Sequence, residues 1–201
     1  MGFSGQSARR AVALALTLAL LAGCSRGERT DLRPLDETGM AFSSLQTLRE
    51  LNVSNAEVAE LVKLRRAGVS DTTAIELVRI ARNRQQEFAS GDAVAALIRA
   101  GMGEEAVLEL ARLDRLGLEI GEMQAMRLAG IPDAVIVAQA RRRAQGAPVL
   151  SGPALAAMRN AGISDSALLA LVERGVPDSA AEEILRLRRR GVREVEILRR
   201  F

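Results

Sequence analysis

Two acidic pairs, Glu104-Glu105 and Glu182-Glu183, are the side chains closest in type to a general acid and its base. Both stand where a helix is expected to begin, and there the positive end of the helix dipole already accounts for carboxylates. The chain has no histidine and a single cysteine, Cys24. It therefore lacks the imidazole that activates most nucleophiles and the ligand sets that usually hold zinc. Gly101-Met102-Gly103-Glu104-Glu105-Ala106 has the G-x-G-x-x-A spacing of a dinucleotide-binding loop. That loop must follow a buried strand, whereas residues 92–100 have a helical pattern, so the segment is expected to be a turn. The sequence predicts no catalytic residue, no metal and no cofactor. The enzymatic reading that remains is one working with carboxylates alone.

Arginine is the other chemistry-bearing residue. Arg141, Arg142 and Arg143 close one expected helix, and Arg186, Arg188, Arg189, Arg190 and Arg193 crowd the last two, with Arg199 and Arg200 beyond. Basic residues at helix ends are favoured by the dipole, and Glu194 and Glu196 offset part of the charge. The functional alternative is contact between Arg186, Arg188, Arg189, Arg190, Arg193 and anionic envelope groups such as lipid phosphate or lipopolysaccharide. The pI near 10.2 does not indicate a nucleic-acid partner, because the net charge is only +3 and Arg9 and Arg10 supply two of those charges. No small-molecule substrate is indicated either.

The elements that position these residues must be helices. Apolar residues make up 48% of the chain but aromatics only 2%, so the core has to be built from Leu, Ala, Val, Ile and Met. Such a core suits closely packed helices better than a sandwich of strands.

Residues 1–24 read MGFSGQSARRAVALALTLALLAGC. Arg9 and Arg10 form a basic start, and residues 11–22 are an uncharged Leu/Ala run too short to span a bilayer. Leu21-Ala22-Gly23-Cys24 resembles the lipobox of bacterial lipoproteins. The resemblance implies a signal peptide over 1–23, cleavage before Cys24, and a diacylglycerol thioether on that cysteine with a further acyl chain on its amine. Two or three chains give stable anchoring where one does not. Ser25 resembles the residue found in outer-membrane lipoproteins, which implies a periplasm-facing location if the cell is Gram-negative. Residues 24–42 are polar, with Pro34 and two glycines, and are expected to form a flexible tether of about 25 Å after the anchor.

Residues 43–201 carry an internal repeat. Leu64 to Asp71, Ile98 to Glu104, Met126 to Asp133 and Met158 to Asp165 each run from an apolar residue through Ala-Gly to an aliphatic residue and then an acid. Gly68, Gly101, Gly130, Gly162 and Gly191 recur at intervals of 29 to 33 residues, with further turns expected at Gly117 and Gly175. Leu48 to Asn55 repeats the pattern with Asn52 in place of glycine. Glycine closes a helix in the left-handed conformation, the aliphatic residue after it makes a hydrophobic contact, and Ser70 or Ser164 caps the next helix. Ser54–Glu57 and Ser179–Glu182 have capping-box spacing, and Pro132 and Pro177 suit a first helical turn.

The pattern predicts an all-α array of about ten short helices, each too short to fold alone, stacked as a solenoid or a compact coil of hairpins. A loop near residues 144–151 is expected to divide it. The repeats are similar to short-helix repeats of "LRxxGV" type in bacterial membrane-anchored proteins, and that similarity supplies no active site. Two functional expectations follow: a lipid-tethered envelope scaffold that binds a protein partner, or an arginine-rich domain on anionic envelope surfaces.

Overall fold

In the computed structural model, which describes residues 30–117 and 119–201, each helix but the last ends in the same way: one residue takes a left-handed backbone conformation. The helices are α1 (Arg33–Asp36), α2 (Phe42–Glu50), α3 (Asn55–Arg66), α4 (Asp71–Asn83), α5 (Gly91–Arg99) and α6 (Glu104–Arg112). They continue as α7 (Ile120–Leu128), α8 (Asp133–Ala144), α9 (Gly152–Asn160), α10 (Asp165–Glu173), α11 (Ala181–Arg189) and α12 (Glu194–Arg200). Among the described residues there is no strand, and no helix is long and apolar enough to cross a membrane.

Odd-numbered helices pack on odd-numbered ones and even on even, and each odd helix also packs on the even helix that follows it. Among the described residues the twelve helices are therefore six hairpins stacked in two layers, an α-solenoid architecture. The turns alternate in kind. From an odd helix to an even one, every turn is a glycine: Gly39, Gly68, Gly101, Gly130, Gly162 and Gly191, at φ between 77° and 88°. From even to odd, the left-handed residue is Asn52, Gln85, Asp114, Gly146 or Gly175. At each turn the N–H after that residue donates five residues back, as in Val69 to Leu64 (3.1 Å) and Ile131 to Met126 (3.0 Å), which closes a Schellman motif.

The residues flanking the first five glycine turns form the core. Leu35, Leu64, Leu97, Met126 and Met158 precede it and are at most 2% exposed, and Met40, Val69, Met102, Ile131 and Ile163 follow it at 4% or less. Burying each such side chain contributes roughly 1.5–3 kcal/mol. Ile75, Val78 and Ile80, and Val107, Leu108 and Leu110, are buried as their spacing predicts.

Several expectations are corrected. The segment up to Phe42 is not wholly a tether, because Asp31–Phe201 is one unit: Leu32, Leu35 and Met40 are buried, and α1 packs on α3. The first repeat is consequently the one around Gly39. Asn52 lies in the opposite class of turn, from an even helix to an odd one. The loop at 144–151 does not divide the array either. Gln139 donates from Nε2 to the Leu150 carbonyl at 2.7 Å, Leu150 is fully buried, and α8 packs on α10 across it. Asp114, not Gly117, makes the turn into α7. Ser54–Glu57 forms its capping box, but Ser179 lies inside a 3₁₀ turn (Asp178–Ala180), so α11 starts at Ala181 without a side-chain cap.

Candidate functional site

Many of the polar side chains hold one hairpin to the next. From α4 onward the first residue of an even helix is an acid, and in all but α10 its carboxylate accepts the N–H at the cap of the preceding even helix. Asp71 accepts from Ala41 (2.8 Å), Glu104 from Ser70 (2.9 Å), Asp133 from Gly103 (2.8 Å) and Glu194 from Ser164 (2.8 Å). Burial pushes the Glu104 carboxyl up, but the Ser70 and Thr73 hydroxyls, the Ser70 N–H and the Arg65 charge outweigh it and hold it below the usual range. The Ser164 hydroxyl does the same for Glu194 against a smaller burial effect. Pro132 caps α8 and has no N–H to give, and Asp165, the corresponding acid, is instead paired with Arg159.

A second ladder uses the arginine that follows the buried apolar residue of an odd helix. Arg127 donates from Nε to the Gly101 carbonyl at 2.9 Å and lies 3.0 Å from Asp133. Arg188 bonds the carbonyls of Ala161 and Gly162, and Arg65 lies 3.0 Å from Asp71. These guanidinium groups satisfy the carbonyls that a helix end leaves open.

The outer side of the even layer is also internally paired. Glu76 joins Arg79 and Arg112, each at 3.8 Å, and Glu109 joins Arg112 (3.6 Å) and Arg141 (2.9 Å), linking α4, α6 and α8. Arg143 clasps Glu122 at 2.7 Å, and Glu122 also accepts from Gly152 N–H at 2.6 Å.

Among the described residues, beside scattered unpaired arginines such as Arg49, Arg190 and Arg199, one regular row of side chains is left out of this pairing. Two residues before the glycine turn of each odd helix stand Glu37, Arg66, Arg99, Leu128, Asn160 and Arg189, all exposed. Among the described residues, Arg66, Arg99 and Arg189 make no ion pair or hydrogen bond, and Leu128 is 70% exposed. Between α9 and α11 the row opens into a cleft of about 450 Å³ lined by Ala157, Asn160, Ala161, Leu185, Arg188 and Arg189.

The five arginines singled out from the sequence are thus divided by the structure. Arg186 is paired with Glu183, Arg193 with Glu196, and Arg188 is held by backbone carbonyls. Arg189 and Arg190 are exposed and, among the described residues, unpartnered. Arg66 and Arg99 were hidden from a reading based on local charge density, although aligning the repeats on their glycine turn puts them in register with Arg189. Cys24 and the signal segment lie outside the described residues. Among the described residues no group of three His, Cys, Asp or Glu side chains could hold a metal ion. No protein-family model, curated protein or solved structure matches this chain.

Proposed function

We propose that the chain is a membrane-tethered envelope lipoprotein whose helical hairpins form a non-enzymatic scaffold for a protein partner. The observation that carries this is the contrast between the two layers. On α4, α6 and α8 the even layer neutralises its charges across helices, whereas the odd layer, beside its Lys63–Asp92 pair, presents a row of side chains with no internal partner. In stacked-repeat proteins, framework positions hold the array together while one exposed position per repeat is free to meet a partner. The fold alone does not dictate function, and the row gives the reading its specific content. The lipobox resemblance at Cys24 would put the array at a membrane surface.

A photo-crosslinking residue at Leu128, in cells expressing the full chain, tests the scaffold reading. It should trap a saturable protein adduct that the same residue at Arg79, in the paired layer, does not. No adduct from Leu128, or equal adducts from both, overturns it. Mass spectrometry of the mature chain tests the anchor: a free sulfur on Cys24 removes the membrane from the account.

The second reading is adhesion to anionic envelope surfaces, favoured by Arg189 and Arg190 standing exposed side by side. It requires vesicle binding that weakens steeply with salt.

A further inference from the structure

The arginines of the odd-layer row are distributed in a way that specifies a partner. Arg66 and Arg99 stand on α3 and α5, and Arg189 stands on α11. The two intervening helices offer Leu128 and Asn160 at the same position. The central stretch is otherwise uncharged on its exposed side, where Gly121, Ala125, Ala129, Pro153 and Ala157 lie. Packed helices stand about 8–10 Å apart, so three steps from α5 to α11 separate Arg99 from Arg189 by about 24–30 Å.

We propose that this row binds an acidic peptide segment of a partner protein. Carboxylates meet Arg99 and Arg66 at one end and Arg189 at the other, and a neutral, weakly apolar middle lies across Leu128. The proposal rests on the scaffold reading and names the chemistry of its partner. An extended peptide advances about 3.3 Å per residue, so about eight residues bridge the two charged ends.

The cleft between α9 and α11 gives one end its geometry. Arg189 and Asn160 supply donors at its edge, and Ala157, Ala161 and Leu185 form walls against which the methylenes of a glutamate can lie. Arg188 lines the same cleft, but its guanidinium is committed to the Ala161 and Gly162 carbonyls, so it fixes the shape while Arg189 carries the free charge. A planar guanidinium takes a carboxylate through two parallel hydrogen bonds, which makes arginine the suitable residue at both ends.

A membrane surface fits this arrangement less well. Polybasic lipid contacts concentrate about four to eight cations in one patch, whereas here two helices with no charge on their exposed side, α7 and α9, separate the basic ends.

The test uses the full chain in detergent and a fluorescein-labelled peptide of about twelve residues, with two glutamates at each end and an Ala/Leu middle. Fluorescence anisotropy at low salt should show saturable binding that the all-glutamine version of the peptide loses. Arg99→Gln and Arg189→Gln should each weaken it about five- to tenfold, while Arg79→Gln, in the paired layer, leaves it unchanged. Circular dichroism melts of the three variants verify that they remain folded.

Equal affinity for the glutamine peptide, or equal loss from Arg79→Gln, overturns the proposal. So does binding confined to phosphatidylglycerol vesicles, which would assign the row to lipid. If the Leu128 crosslink traps a partner while the arginine variants bind the peptide as the parent does, the scaffold reading survives and its acidic partner does not. If the crosslink traps nothing, the scaffold reading itself falls.

Discussion

Asp133 accepts the backbone N–H of Gly103 across 2.8 Å, so the first residue of α8 completes the cap of α6, one hairpin earlier. Asp133 also lies 3.0 Å from Arg127, which itself reaches back to the Gly101 carbonyl. Replacing it removes a cap contact and loosens a guanidinium between two repeats. Asp133→Ala should cost about 1–2 kcal/mol in urea unfolding. Asp165→Ala should cost less than about 1 kcal/mol, because Pro132 offers that acid no N–H and its ion pair with Arg159 is half-exposed. Equal costs for the two would refute the ladder.

Alanine usually stabilises a helix relative to glycine, yet Gly91→Ala should do the reverse. A Cβ at Gly91 would lie 2.6 Å from the backbone oxygen of Glu60, which cannot move without shifting α3. The expected cost is about 1–3 kcal/mol. Gly68→Ala meets nothing within 4 Å and bears only the strain of φ +88°, about 1–2 kcal/mol. Thermal melts of Gly91→Ala that match or exceed the parent would show that α3 and α5 are not in close contact there.

Glu57 is 1% exposed and joins three elements: it receives the N–H groups of Ser54 (2.9 Å) and Phe88 (2.8 Å) and pairs with Arg82. Glu57→Ala leaves these donors facing a cavity and should destabilise the fold by about 2–4 kcal/mol. Glu57→Gln, which keeps one acceptor oxygen, should lie between Ala and the parent. Amide hydrogen exchange at Phe88 reports the loss directly, and an unchanged Phe88 rate in Glu57→Ala would contradict this role.

Acid should weaken the array through the same carboxylates. Burial raises Glu57, but Arg82 and the Phe88 and Ser54 N–H groups lower it further, so its folded value lies below the ordinary 4.5. Glu122 is held low chiefly by Arg143, and Glu104 and Glu194 are lowered as well. A depressed folded value means that the stabilisation is complete above the unfolded value and is lost as pH falls through the folded ones. Tm should therefore be flat from neutral pH down to about 5 and fall steeply below about 4. Glu122→Gln should lower Tm at neutral pH and flatten the acid limb. A limb as steep as the parent's would assign the acid sensitivity elsewhere.

The glycine turns, the aliphatic residue after each and the acid that follows were legible because each acts within a few residues of chain. Gly68, Gly130 and Gly162 close helices as their spacing predicts. The first hairpin was not legible: Pro34 and Gly39 look like linker chemistry, and a four-residue helix has no period to detect, yet Leu35 is completely buried. Continuity through residues 144–151 rests on Gln139 reaching Leu150, a contact that no hydrophobic pattern records. The arginines show the same limit. Their abundance was visible, and so were near neighbours such as Glu196 beside Arg193, but for others the partner lies about thirty positions away, as Glu109 does for Arg141.

The exposed Phe42 has a consequence for how such a chain can lengthen. It begins α2, where each later even helix from α4 onward begins with an acid, and among the described residues no earlier even helix offers a cap for it to receive. The rungs thus have a direction, since each of the acids Asp71, Glu104, Asp133 and Glu194 answers the hairpin before it and says nothing about the one after. A tandem copy of the α5–α6 hairpin would arrive with both halves of its connection, Glu104 for its predecessor and the Gly103 N–H for its successor. A copy of the α7–α8 hairpin would bring Asp133 but, with a proline at the cap of α8, would offer its successor no N–H and break the succession wherever it was inserted.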